Sequence, residues 1–123
     1  MPYLFEFTYH NPTQIVFGPN SFARLGSLVP ADTKVLLLYG GGSIKGNGVY
    51  DKVMAALAGR DVVEFAGVEP NPTLETLSAA VDLAKRQKID FILGVGGGSV
   101  ADGAKYVACA ALYDGDGWDI VSG

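Results

Sequence analysis

The sequence has one cysteine, Cys109, and one histidine, His10. A lone thiol closes no internal disulfide, so a reducing compartment is expected, and the cytoplasm is the expected location. Cys109 falls in an alanine-rich apolar run, where packing as a small hydrophobe is expected of it. A metal site needs three or four converging donors, and His10 has no partner of that kind, so no metal ligand and no catalytic residue is identified in this chain. Blocks of Lys and Arg are absent and the formal net charge is −4, which excludes the electrostatic footprint of a nucleic-acid or anionic-membrane binder. No stretch approaches the ~18 apolar residues of a membrane span, and the first residues lack the charged and apolar regions of a secretory signal. Internal repeats, low-complexity tracts and Pro/Ser-rich linkers are also missing.

What remains is the composition of a folded domain. Hydrophobic residues make up 49% and charged residues 18% of 123 residues, enough for a core and room for a single domain spanning 1–123. Glycine is abundant, at 17 residues, and its placement carries the main information.

Leu4–Tyr9 alternates weakly, Asn11-Pro12 marks a turn, and Gln14–Phe17 is β-prone, which together predict an N-terminal hairpin. Asn20 or Ser21 is a suitable cap for a short helix with Phe22, Leu25 and Leu28 on its apolar face. Val35–Tyr39 then runs apolar without alternation, the mark of a parallel strand covered on both faces, and stops at Gly40-Gly41-Gly42-Ser43. Val49, Val53, Ala56 and Leu57 follow helical spacing, and Val62–Phe65 predicts a second strand. Asn71-Pro72-Thr73 opens another helix, with Pro72 expected in its first turn and Leu74, Leu77, Val81 and Ala84 on one face. Phe91–Val95 predicts a third strand, and Gly96-Gly97-Gly98-Ser99 leads into a helix over Val100–Leu112. Strands alternating with helices predict an α/β fold, a Rossmann-like doubly wound parallel sheet preceded by the hairpin, with ligands outside the carboxyl ends of the strands.

Both glycine clusters fall at such ends. A strand, a turn without side chains and a helix N-terminus make an anion cradle, because the first-turn N–H groups lack acceptors and the helix dipole adds positive potential. Gly96, Gly97, Gly98 and Ser99 are therefore candidate ligands of a dinucleotide pyrophosphate, with Gly96-x-Gly98-x-x-Ala101 meeting a relaxed dinucleotide fingerprint. The alternative is a plain tight turn in which Ser99 and Asp102 form a capping box. In the first cluster, dinucleotide folds often carry an acid that binds the adenosine ribose, and no acid lies between Leu36 and Lys45. A loop of Gly40, Gly41, Gly42 and Ser43 leaves room for the 2′-phosphate of NADP(H), with Lys45 as counter-charge. The alternative here is a surface loop with a solvated lysine.

Taken together, Asn71-Pro72-Thr73, Gly96-Gly97-Gly98-Ser99 and Asp102, with Pro12–Gly18 at the start, resemble the N-terminal domain of the iron-containing alcohol dehydrogenases. Tyr39–Lys45 looks like the branch of NADPH-dependent aldehyde reductases and butanol dehydrogenases, with Gly41 where NAD-using relatives hold Asp. The resemblance implies the dehydroquinate synthase-like fold, Gly41 and Ser43 beside the 2′-phosphate, Gly97, Gly98 and Ser99 on the pyrophosphate, and Asn71 and Asp102 along the cofactor. It further implies a helical domain, absent from this chain, that binds Fe²⁺ or Zn²⁺ in the complete enzyme.

The expectation is the NADP(H)-binding half of a homodimeric enzyme that interconverts a small alcohol and an aldehyde, inactive when isolated. A stand-alone nucleotide- or phosphate-binding module, and a glycerol dehydrogenase-like or dehydroquinate synthase-like relative, are the alternatives.

Overall fold

The apolar run after Thr33 becomes β1 (Lys34–Tyr39), and Val35 through Tyr39 are all buried, as a strand covered on both faces requires. The computed structural model describes residues 8, 16–18, 20–41 and 43–111. Among them, β1 lies between two parallel partners, β2 (Asp61–Phe65) and β3 (Phe91–Val95), in the order β2-β1-β3. At the foot of β1 the Lys34 N–H donates to the Asp90 carboxylate at 3.0 Å, and the Asp90 N–H returns a bond to the Lys34 carbonyl at 2.9 Å.

Side chains alternate across a strand, so β1 serves two cores. Leu36 and Leu38 pack with Leu77, Ala80 and Val81 of α4 (Leu74–Arg86) and with Val100 and Val107 of α5 (Gly98–Ala110). Val35, Leu37 and Tyr39 face the opposite way, onto Val29, Ile44, Val53 and Leu57. That second layer is built by α1 (Ser21–Leu28), the single turn α2 (Ser43–Gly46) and α3 (Val49–Ala56). Arg60 ties the layer together, donating to the carbonyls of Gly26 and Val29 at 2.6 and 2.8 Å. Helices on both faces of a parallel sheet make the predicted doubly wound architecture. No described helix is long and apolar enough to cross a membrane.

Several local expectations change. His10 and most of the N-terminal hairpin lie outside the described residues, as do Gly42 and Leu112. Asn20 caps α1 by position but makes no side-chain cap bond, and Leu28 is 40% exposed while the next residue, Val29, is buried. Pro72 does not enter α4: Thr73 is the cap, its hydroxyl accepting from the Thr76 N–H at 3.2 Å, which leaves Pro72 outside the helix. Cys109 is exposed on α5, since Val107 and Ala110 occupy the buried face. Ser43 begins a helical turn, whereas the sequence suggested only loop.

Candidate functional site

Tyr39 pairs in register with Val95, so Gly40 and Gly96 leave neighbouring parallel strands at one level. The step from β1 to β2 goes one way along the sheet and β3 lies on the other side of β1, which makes the β1/β3 crevice the topological switch point. In doubly wound sheets that crevice is where ligands bind. Gly40 and Gly96 stand at its rim.

The glycines divide into two kinds. Gly40 is held by packing, for a Cβ there would lie 3.1 Å from the Val68 carbonyl oxygen. This closeness arises because the segment after β2 continues along β1, with Gly67 N–H donating to the Gly40 carbonyl at 2.8 Å and Val68 N–H to that of Tyr39 at 3.2 Å. Gly96 is held by conformation as well: its φ is +153°, and a Cβ would come within 2.8 Å of Val100 Cγ2. Val100 is buried and β-branched and has little freedom to move away. Gly96→Ala is therefore expected to lower the unfolding free energy by about 1–2 kcal/mol, measured by urea denaturation. An unchanged midpoint would show that this turn relaxes freely.

Gly41, Gly97 and Gly98 are different. None has positive φ, and a Cβ on any of them would meet no atom of the described residues within 4 Å. Neither backbone geometry nor internal packing asks for glycine there. Gly97 is the N-cap of the 13-residue α5, with no side-chain cap bond among the described residues, which leaves the first N–H groups of the helix without a side-chain acceptor there. A diphosphate group, which needs close approach to main-chain N–H groups at a helix start, fits that position.

Ser99 lies inside the first turn of α5, so it does not cap the helix, and the Ser99–Asp102 capping box is not formed. Asp102 is exposed and forms no hydrogen bond or ion pair among the described residues. Asn71 is also exposed, in a left-handed conformation with φ of 53°, which asparagine tolerates better than most residues. Its turn is braced by Glu69, whose carboxylate accepts from the Thr73 N–H at 3.0 Å. That backbone bond, with smaller help from the Thr76 and Thr73 hydroxyls, holds the Glu69 carboxyl below its ordinary range.

Around Lys45 the structure assembles residues the linear reading did not connect. The ammonium lies 5.0 Å from the Tyr50 ring centroid and 5.7 Å from that of Tyr39, and the two rings meet edge to face at 6.2 Å. Both phenols donate to one carboxylate, Tyr39 to Glu64 Oε1 at 2.9 Å and Tyr50 to Glu64 Oε2 at 2.7 Å. The bond to Glu64 raises the Tyr50 hydroxyl's pKa. Glu64 was detectable in the sequence as the single carboxylate interrupting Val62–Phe65, but nothing there reveals its partners.

On the α1/α3 face of β3, an open cleft of about 720 Å³ borders Gly96, with a mainly aliphatic lining that includes Leu25, Ile44, Val53 and Val95. Among the described residues no three His, Cys, Asp or Glu side chains converge as a metal site.

Known proteins share this fold. Residues 12–123 match the family model for iron-containing alcohol dehydrogenases. The chain is 54% identical over 108 residues to the NADPH-dependent aldehyde reductase YqhD of Escherichia coli K12, covering 88% of this chain and 28% of that protein. The cofactor-free structure of the E. coli reductase superposes with a TM-score of 0.91 at 52% identity, over 94% of this chain and 31% of that one. The crystal structure of NADH-dependent butanol dehydrogenase A from Thermotoga maritima gives 0.88, also at 52% identity, over 93% and 30%. This sequence thus spans under a third of the length of these relatives. With a family match over nearly all of the chain and a parallel sheet that superposes on solved members, the chain belongs to the iron-containing alcohol dehydrogenase family.

Proposed function

We propose that residues 1–123 form an NADP(H)-binding domain of a metal-dependent alcohol dehydrogenase or aldehyde reductase, which moves hydride between NADP(H) and an alcohol/aldehyde pair. The observation that carries this reading is the set of three glycines, Gly41, Gly97 and Gly98, that the fold itself does not require. In this reading the start of α5 receives the pyrophosphate: Gly97 and Gly98 offer main-chain N–H groups without a Cβ in the way, and Ser99 adds its own N–H. Gly40 and Gly96 are the structural partners that aim the two loops. Asn71 and Asp102 present polar groups at the same end of the sheet, and Gly41 with Ser43 and Lys45 borders the adenosine 2′ position.

The bound nicotinamide supplies the hydride chemistry, while this chain supplies binding and orientation. Fe²⁺ or Zn²⁺ of the complete enzyme would be held by a helical domain outside residues 1–123 and would supply Lewis-acid polarisation of the carbonyl. Similarity alone does not select the cofactor, since relatives named for NADPH and for NADH match at 54% and 52% identity. NADP(H) is favoured on local grounds, because no carboxylate lies from Leu36 through Lys45 to repel a 2′-phosphate.

Equilibrium titration of the full-length protein, following nicotinamide fluorescence, is the test. NADPH is expected to bind at least about fivefold more tightly than NADH, the ratio corresponding to one favourable phosphate contact of ~1 kcal/mol. Equal or tighter binding of NADH would remove the 2′-phosphate from the reading, and absence of binding by either would remove the dinucleotide.

A further inference from the structure

Lys45 is exposed, and long exposed lysines ordinarily sample many rotamers, which must be frozen before the ammonium can serve a ligand. Here the ammonium is held by two aromatic faces, with the rings of Tyr39 and Tyr50 at 5.7 and 5.0 Å. Among the described residues no carboxylate lies within ion-pair distance of it. The difference matters physically. A carboxylate partner would cancel the charge, whereas a ring quadrupole restrains the cation without formal negative charge and leaves its N–H donors available.

Glu64 contributes indirectly. Each of its oxygens accepts one phenol, so the two rings are tethered through a common carboxylate instead of turning independently. Tyr39 is buried at the end of β1, and Tyr50 extends from α3, so the cage is anchored in the sheet and in the helix that follows it. Lys45 itself follows the first glycine loop by one short turn.

We infer that Tyr39, Tyr50 and Glu64 are positioning residues that hold the Lys45 ammonium ready for the 2′-phosphate of the dinucleotide, and so set the preference for NADP(H). This inference rests on the reading that the loop after β1 borders the adenosine 2′ position. The gain is preorganisation: ordering of the lysine is completed in the fold, so less of the phosphate contact is lost on binding.

The experiment uses full-length protein and a pair of probes that differ only in the group concerned, 2′,5′-ADP and 5′-AMP, titrated calorimetrically at fixed ionic strength. Lys45→Met is expected to weaken 2′,5′-ADP about tenfold and leave 5′-AMP unchanged, as loss of one charge-assisted contact implies. Tyr50→Leu is expected to weaken 2′,5′-ADP about two- to fivefold, again without effect on 5′-AMP, because an exposed cation–π contact has that size. Tyr50→Phe keeps the ring and should stay within about twofold of wild type, a rescue that general destabilisation of α3 would not produce. Equal losses for both probes, or Tyr50→Leu indistinguishable from wild type, would overturn the cage. Should Lys45→Met leave the ratio unmoved while Gly41→Asp shifts it, the inference fails and the 2′-phosphate reading stands. Were neither substitution to shift it, the reading itself would fall.

Discussion

Gly41→Asp in the full-length enzyme is expected to turn cofactor preference from NADPH towards NADH. Gly41 follows the buried strand β1 by two positions, is exposed, and has open space where a side chain would begin, so aspartate is accommodated without repacking. Its carboxylate would accept hydrogen bonds from the ribose hydroxyls of NADH, but it would confront a 2′-phosphate carrying nearly two negative charges at neutral pH. One like-charge contact at a partly exposed site shifts relative binding by ~1–3 kcal/mol, or roughly five- to a hundredfold in the ratio of affinities. The caged Lys45 limits the shift, since its positive charge remains near the loop. The ratio of kcat/KM for NADPH and NADH, compared between wild type and variant at fixed ionic strength, reads the effect. A wild type that already prefers NADH, or a ratio that does not move, would show that this loop does not sense the 2′ position.

The second large effect concerns the start of α5. Gly98→Val should weaken binding of both NADPH and NADH by about ten- to a hundredfold, equivalent to ~1.4–2.8 kcal/mol, while changing unfolding free energy by less than about 1 kcal/mol. The separation follows from the geometry around Gly98. A Cβ there meets no atom of the described residues within 4 Å and the backbone does not need positive φ, so the fold is expected to tolerate the larger residue. A pyrophosphate seated on the first N–H groups of the helix would lose its closest approach to the main chain. Gly96→Ala supplies the contrast, because its added carbon meets buried Val100 and acts on the fold. Calorimetric titration and urea denaturation of the same preparations distinguish the cases, and unchanged affinity in Gly98→Val would displace the diphosphate from this cradle.

Much of this architecture is legible before any coordinates, for physical reasons that are local. Val35–Tyr39 and Phe91–Val95 are apolar without alternation, as expected of parallel strands; Val35–Tyr39 is buried throughout, whereas β3, at the end of the described sheet, is only half-buried. A glycine cluster directly after each run marks a strand-to-loop junction free of side chains, and the order of strands and helices along the chain limits the fold to a doubly wound sheet. The absence of acid from Leu36 to Lys45, from which the cofactor argument starts, is likewise a property of the linear sequence.

Other features exist only in three dimensions. All the glycines of the two loops look equivalent in the sequence, yet Val68 and Val100 give Gly40 and Gly96 a structural reason that Gly41, Gly97 and Gly98 lack. Position alone made Pro72 a plausible first-turn residue and Ser99 a plausible cap, but helix starts depend on which side chain reaches an unpaired N–H, and Thr73 and Gly97 hold those positions. Cys109 looked like core because its neighbours are apolar, whereas helical phase turns it outward. Lys45 reads in the sequence as a counter-charge beside the first loop, or else as a solvated lysine, with no sign of its aromatic neighbours. Parallel pairing of β1 with β2 sets Leu37 opposite Glu64, and α3 brings Tyr50 back over the same end of the sheet, so one carboxylate joins two phenols separated along the chain. Composition and periodicity determined the fold class because each strand or helix responds to its own burial pattern. Which polar groups meet depended on strand register and on the return of helices across the sheet, long-range contacts that no single segment encodes.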